Sequence, residues 1–480
     1  MRTATVVGSG PNGLAAAVTL AQRGVEVTVL EADRSIGGGT RSGEYTLPGL
    51  LHDHCSAVHP FAAASPFLRG LDLEKYGLTW CYAPIDLAHP LPGGKAGALV
   101  RSVAETARGF GVDEPRWNHL YGKLSERIDD LLDEVFQPPL HLPRHPITLV
   151  RLGIPAAAPA ALLARLWRTD EAKALFGGVC AHSFQPLTRP FSSALGMMFL
   201  AVNQRYGWPV ARGGSRTITD ALAALLISLG GRIETGVRVT SAAQLPPTDL
   251  TLFDLGPRAV ADLLADRMPN RIQRAYRRYT YGPGAFKLDF AVEAGIPWTN
   301  ETCRRAGTVH VGGSFQEMVA AERDTNAGRM PARPFLIVGQ QYLADPGRSR
   351  GDTHPIYAYA HVPHGFSGDA TEAILTQIER FAPGFRDRVL AVSATTTTGL
   401  AAANPNFVGG DVIGGAATPA QLLTRPRIAP DPYYTGVPGM FICSAATPPG
   451  AGAHGMSGHN AALSALRRLP ESAARRARPE

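Results

Sequence analysis

The amino-terminal run TATVVGSGPNGLAAAVTLAQRGVEVTVLE restricts the possible folds more than any other stretch of the 480 residues. Residues 4–7, ATVV, read as a short buried parallel strand, apolar and β-branched. Gly8, Gly10 and Gly13 follow at G-x-G-x-x-G spacing, and the chain continues through Pro11, Asn12 and an alanine- and leucine-rich helix that Gly24 stops. VEVTVLE is a second strand, ending on Glu31, 18 residues past Gly13. Gly8 permits the tight turn, Gly10 lets the backbone approach a diphosphate, and Gly13 allows helix to pack on strand. The N–H groups at the helix start then face the diphosphate, and the acid accepts hydrogen bonds from an adenosine ribose. Strand, glycines, helix, strand and acid in register predict a dinucleotide-binding βαβ unit.

An acid suited to ribose hydroxyls argues against a 2′-phosphate, and so against NADPH in this site. After Glu31 the chain reads ADRSIGGGTRSGEYTLPGLLHDH. Here it resembles the FAD-dependent amine oxidase and phytoene desaturase superfamily, in its phytoene desaturase-related branch. Members continue the dinucleotide motif with an arginine and a double glycine, matched by Arg34, Gly37 and Gly38. Gly39 stands where many members carry an arginine, with Thr40 or Arg41 to supply the polar contact. The resemblance implies dissociable FAD held by Gly8, Gly10, Pro11, Asn12 and Gly13, by Glu31, Ala32 and Arg34, and by Gly38, Gly39, Thr40 and Arg41. It also implies an α/β fold in which a Rossmann-type, glutathione reductase-like FAD-binding domain is interleaved with an α+β substrate domain. The FAD domain takes residues 1–70, 208–265 and 420–480. The substrate domain, with a helical cap, takes 71–207 and 266–419.

Composition agrees with a folded chain too long for one core, at 45% hydrophobic and 18% charged residues. No apolar run reaches 18 residues, so no spanning helix is expected, and the apolar start is used by the nucleotide motif. Five scattered cysteines without C-x-x-C predict neither a disulfide framework nor a zinc site and suit the cytoplasm. The net charge of +7 carries no basic stripe of the kind nucleic acid needs; its densest cluster, RRLPESAARRARPE, reads as a solvated tail.

In the middle of the chain, residues 113–136 show helical spacing with Asp113 as N-cap. Residues 137–170 are apolar, proline-broken and dotted with Arg144, Arg151, Arg165 and Arg168. This segment reads as a helical cap over the active site, with peripheral contact to a membrane interface as the alternative. In WPVARGGSRTITDALAALLISLGGRIETGVRVTSA a glycine loop, a helix and a strand around Val237 match a family stretch whose strand passes the adenine, which implies backbone contact from Val237. In GAFKLDFAVEAGIPW, Lys287 occupies the place of an amine oxidase lysine that holds a water near flavin N5; a surface lysine on an edge strand is the alternative. His310, His361 and His364 read first as structural histidines. No H-E-x-x-H spacing points to a metal and no G-x-S-x-G elbow to a hydrolase.

Towards the carboxy terminus, GVPGMFICSAATPPGAGAHGMSGHNAALSAL reads as a strand, a glycine- and proline-rich loop, and a helix beginning near Gly458. Pro449, Gly450, Gly452, Gly455 and Gly458 match the superfamily's second flavin motif, which implies flavin contacts from Ala446, Gly455 and Met456. Ser444 and Ala445 replace its usual Gly-Asp. His454 falls close to where the isoalloxazine ring should lie, and with Lys287 it is the catalytic candidate. The implied chemistry is a desaturase or dehydrogenase removing a hydride from a largely apolar substrate C–H to flavin N5, with oxygen or a quinone as acceptor. An amine oxidase, a redox-neutral flavin isomerase and a non-catalytic flavin-stabilised interaction protein are the alternatives.

Overall fold

The strand β1 (Thr3–Val7), the helix α1 (Pro11–Ala21) and the strand β2 (Glu26–Leu30) form the expected βαβ unit, with β1 and β2 parallel and in register from Thr3↔Glu26 to Val7↔Leu30. The computed structural model describes residues 2–469; the arginine-rich end beyond them lies outside the described residues. The unit sits inside a five-stranded parallel sheet ordered Met440–Ile442, Leu250–Phe253, β1, β2, Arg232–Glu234. Sequence-distant strands thus flank β1 and β2. The helix Met456–Arg468 packs along α1, where Gly458 approaches so closely that a Cβ there would stand 1.8 Å from the Asn12 carbonyl oxygen.

A second, seven-stranded sheet runs Val389–Thr395, Gly284–Glu293, Thr353–Val362, Leu336–Gly339, Ala306–Val311, Ile85–Pro90, Ala96–Leu99. Its pairings are antiparallel except Ala306–Val311 on Ile85–Pro90. One face is apolar: Phe286, Leu288, Phe290, Val309, Leu336 and Val338 join Ile374 and Ile378 of the helix Thr371–Glu379 in one core. The other face is polar although equally buried. Across neighbouring strands the register aligns Lys287, Tyr359, Ile337 and His310, with Asp289 opposite Tyr357 and Ala285 opposite His361. Lys287, Asp289, Tyr357, His361, His310, Thr308 and His89 are all at most 3% exposed.

Three local expectations are corrected. The helix over 113–136 is interrupted at Arg127, whose backbone (φ −111°, ψ 22°) leaves helical geometry, and the second part starts at Ile128. Asp113 does not cap it. Its carboxylate instead accepts the N–H groups of Arg168 and Thr169 and the Thr169 hydroxyl. The strand expected around Val237 ends at Glu234, because Gly236 turns the chain with φ +74°.

Between 137 and 170 lie the helices Pro146–Ala157 and Ala160–Leu163. Leu142, Ile147, Val150, Ile154, Leu162 and Leu166 are exposed on this segment. No single helix among the described residues is long and apolar enough to cross a membrane. The pair Pro146–Ala157 and Ala160–Leu166 reaches that composition only together, bent by 96°.

Candidate nucleotide and substrate sites

The glycine motif closes on its own backbone and on one acid. Gly8 adopts φ +103°, a region that disfavours a side chain, and its N–H donates to Leu30 O at 2.8 Å. A Cβ on Gly13 would lie 2.1 Å from Gly8 O, and one on Gly10 would lie 2.7 Å from Asp254 Oδ2. Asp254 follows the strand Leu250–Phe253 and accepts the Gly13 N–H at 2.9 Å. Burial, with Glu31 nearby, pushes its carboxyl up to about 7. Since Pro11 has no N–H and that of Gly13 is taken, Asn12 supplies the free donor at the start of α1. Its side-chain Oδ1 is buried without a partner among the described residues. Asp254 went unrecognised in the sequence, where a lone aspartate after an apolar strand carries no signal.

Glu31 is fixed by the Ser9 N–H at 2.9 Å and the Ser9 hydroxyl on Oε2, and by the Asp33 N–H at 2.8 Å on Oε1. Oε1 keeps capacity for a further donor. Arg41 stands 3.5 Å from both Glu31 and Asp33, donates to Ser35 O and Ala403 O at 3.1 Å, and has a buried Nε with no partner. Thr40 instead turns inward, its hydroxyl donating to Gly37 O at 2.8 Å. Of the two stand-ins for the arginine missing at Gly39, Arg41 is the one that reaches the acid. Gly39 itself has Phe407 above it, 2.9 Å from where its Cβ would be, so an arginine there would displace that ring. Gly38 packs on Gly10, whereas Ala32 is half-buried and Arg34 is exposed, outside the hydrogen bonds of the cradle. The N–H of Val237 donates to Glu31 O at 2.8 Å. That donor is committed to holding the loop against the acid.

At the carboxy-terminal loop the helix starts at Met456 rather than Gly458, with Gly455 before it at φ +69°. Gly455 lies against α1, a Cβ there being 2.9 Å from that of Ala15. The Met456 N–H donates to His454 Nδ1 at 3.0 Å, and the Ala446 N–H points at Ser444 Oγ, 3.4 Å away. His454 is 2% exposed and burial lowers its imidazole to about 4, so the ring is neutral and braces the loop, tilted against Phe136 with centroids 5.0 Å apart. Its carbonyl accepts the Ser65 hydroxyl at 2.7 Å.

Lys287 is neither on an edge strand nor on the surface. Its strand lies between two others and it is 3% exposed, with Nζ paired to Asp289 and with the Tyr45 and Tyr357 rings 5.9 and 5.5 Å away. His52 Nδ1 lies 3.3 Å from Asp289 on the other side, and burial, helped by Asp289, pushes Tyr45 up to about 12. Next to this group Asp53 accepts the Ser215 N–H at 2.6 Å, the Ser42 hydroxyl at 2.7 Å and the guanidinium of the wholly buried Arg348. Residues 42–59 therefore run from the nucleotide cradle onto the polar face of the second sheet. Three of the four histidines near the far end of that face, His89, His182 and His310, are held neutral by burial. His364 lies apart, bonded to Gly282 O at 2.7 Å. Among the described residues no three His, Cys, Asp or Glu side chains are placed to hold a metal ion.

Comparison with known proteins agrees with this geometry. The family described as NAD(P)-binding Rossmann-like domain matches residues 6–70. A mouse protein, pyridine nucleotide-disulfide oxidoreductase domain-containing protein 2, is 22% identical over 97% of this chain and 93% of its own length. A Paracoccus phytoene desaturase (lycopene-forming) is 27% identical over 55% of this chain and 54% of its own. Among solved structures, an oxidoreductase from Methanosarcina mazei superposes with a TM-score of 0.60 at 17% identity, covering 97% of this chain and 99% of that one. A putrescine oxidase bound to putrescine gives 0.60 at 16% identity over 97% of each chain. At those identities the structures establish a shared fold, and the sequence relatives add homology. The chain thus carries a Rossmann-like nucleotide-binding domain, is similar along most of its length to a pyridine nucleotide-disulfide oxidoreductase domain-containing protein and along about half of it to a phytoene desaturase, and shares its fold with amine oxidases.

Proposed function

We propose that the protein is an FAD-dependent oxidoreductase that dehydrogenates a small substrate carrying polar groups. The cradle fits the cofactor: glycines where a Cβ would fill the diphosphate approach, an unpartnered buried Asn12 Oδ1, and Glu31 pre-set for ribose hydroxyls. Asn12 would hold the diphosphate in the room that Gly8, Gly10 and Gly13 leave, Glu31 and Arg41 the ribose end, and the Gly450–Met456 loop the flavin end. When bound, FAD supplies an N5 atom that accepts hydride. The chain's own contribution is the buried contact of the 42–59 segment with the second sheet, where Lys287 Nζ is paired with Asp289 among tyrosine rings.

The observation that carries the reading is the buried polar face of the seven-stranded sheet. Its lysine and aspartate are paired with each other, but a hydrocarbon polyene would leave the ring nitrogens that have no partner among the described residues, His361 Nε2 among them, desolvated without compensation, which costs free energy. An amine or alcohol donor satisfies them, so the amine oxidase alternative is favoured over the carotenoid one. The test is anaerobic bleaching of the purified yellow protein with benzylamine, benzyl alcohol and phytoene, followed by peroxide measurement on reoxygenation. Bleaching by the amine or alcohol supports the reading, and peroxide identifies oxygen as acceptor over a quinone. A colourless protein that takes up no added FAD, or bleaching by phytoene alone, overturns it.

We further propose that the exposed apolar surface of residues 140–166 rests on an anionic lipid surface. Leu140, Leu142, Ile147, Val150 and Ile154 stand exposed there, and Leu140 shares a surface groove with Leu423 and Ile428. Residues 137–169 hold four exposed arginines and no acid, although Asp130 and Asp133 lie 3.8 and 3.9 Å from His145 at its edge. Flotation with phosphatidylglycerol vesicles but not phosphatidylcholine ones, abolished by Ile154→Asp, is the expected result. Absence of flotation, or a dimer in solution that Ile154→Asp dissociates, overturns it.

A further inference from the structure

His361 differs from the three histidines around it. His89 Nε2 donates to Gly313 O at 2.8 Å, and His182 and His310 share one hydrogen between their Nε2 atoms at 2.8 Å. His361 Nδ1 instead meets a carboxylate, Glu322 Oε1, at 2.7 Å, while its Nε2 is buried with no partner among the described residues; His89 Nδ1 and His310 Nδ1 also lack partners there, but both lie against Gly178. Glu322 is wholly buried on the helix Phe315–Asn326. A carboxylate only accepts, so a ring hydrogen sits on Nδ1, and in the neutral ring Nε2 presents a lone pair.

The surroundings hold that ring in one orientation. Phe184 stacks on it with centroids 3.7 Å apart, and Phe335 meets it edge-on at 5.2 Å. Phe184 achieves this from a left-handed backbone, φ +52°, which a bulky side chain rarely adopts. Strain of this kind persists where the surroundings over-determine it, commonly at ligand-binding positions. His361 faces the same side of the sheet as Lys287. It pairs with Ala285, two residues along the neighbouring strand, which sets the two Cα atoms roughly 8 Å apart from strand spacing and rise.

We propose that His361 Nε2, oriented by Glu322 and walled by Phe184, receives a hydroxyl or amine hydrogen carried by the part of the substrate remote from the reacting carbon. This rests on the reading that the polar sheet face lines the substrate site. His361 is the binding group, and Glu322 is a positioning residue that acts by fixing which ring nitrogen bears the hydrogen.

The test uses the full native chain labelled with 15N in its histidine rings, titrated with benzyl alcohol, benzoate and toluene, with His361 assigned through His361→Gln. Benzyl alcohol is expected to shift the His361 Nε2 resonance, and toluene to leave it in place. A resonance unmoved at saturating benzyl alcohol, moved equally by toluene, or moved by benzoate in preference overturns the proposal. In Glu322→Gln the amide can donate to Nδ1, transferring the ring hydrogen to Nε2. Preference then switches from benzyl alcohol to benzoate by about tenfold, the scale of one hydrogen bond exchanged for a mismatch. Equal weakening for both probes would show Glu322 to be merely structural and overturn its role. Visible absorbance reads flavin content separately. A chain that binds benzyl alcohol at His361 but takes up no flavin overturns only the cofactor reading.

Discussion

Asp254 Oδ2 accepts the Gly13 N–H at 2.9 Å and lies where a side chain on Gly10 would be, so an acid forms one wall of the diphosphate cradle. Burial holds its carboxyl near 7, which keeps the proton in the folded state when the unfolded chain has already lost it. Its stabilising contribution is complete below the ordinary aspartate range and is lost as pH rises to about 7 and beyond. Asp254→Asn should therefore melt with the wild type near pH 4 and above it at pH 8, by at least roughly 1 °C, the scale of 1 kcal/mol in a chain of this size. Flavin affinity of the wild type should fall about tenfold per pH unit above 7, where an ionised Asp254 faces the diphosphate, and stay level in the variant. Thermal melts and flavin titrations at four pH values check both.

Gly458→Ala places a methyl group 1.8 Å from Asn12 O, between two helices that cannot both hold their positions. A loss of about 3 kcal/mol or more is expected, read from the urea midpoint, together with loss of bound flavin. Gly153→Ala, in a helix with nothing within 4 Å, should leave flavin binding unchanged. Gly10→Ala meets a movable carboxylate rather than backbone, so it should fold while binding flavin weakly.

Asp53→Asn breaks a buried ion pair with Arg348 that also collects the Ser215 N–H and the Ser42 hydroxyl. Asp345, 3.1 Å from Arg348 Nε, still pairs part of the guanidinium, so the cost should be about 3 kcal/mol in equilibrium unfolding, the lower end for a broken buried pair. Asp53→Asn combined with Arg348→Met should recover part of that loss, since the buried guanidinium is then gone and Asp345 keeps the Gly213 N–H at 2.8 Å.

Lys287→Met removes the cation from the polar sheet face. Reoxidation of the reduced protein by oxygen should slow about tenfold or more in stopped flow, because a positive charge beside the site stabilises anionic reduced species. Asp289→Asn, which frees the ammonium from its partner, should not slow it. Equal rates in wild type and Lys287→Met would remove Lys287 from the oxygen step.

The nucleotide-binding unit was legible because its signals are local: β-branched residues, three spaced glycines and an acid within about thirty positions. Asp254 was not, since it meets Gly13 across 241 residues and follows a strand with no motif of its own. Nor was the pairing of His361 with Glu322, 39 residues apart and on different elements. In FKLDFAV the alternation did show that Lys287 and Asp289 share a face opposite Phe286, Leu288 and Phe290. What periodicity could not tell is whether the polar face meets water or protein, because that depends on what packs above it. The loss of Asp113 as a cap depends likewise on the distant 168–169 segment, which draws off its carboxylate, whereas the strand's end at Glu234 follows the local turn at Gly236.

The contact of Gly458 with Asn12 also bears on how the chain matures. A ribosome releases the glycine-rich turn of residues 8–13 hundreds of residues before it releases the helix that closes over it. During synthesis the amino-terminal motif is therefore half a vessel, lacking the wall that residues 440–468 supply once they emerge and dock. Proteolytic clipping near that late helix would undo the oldest-made part of the molecule along with the newest.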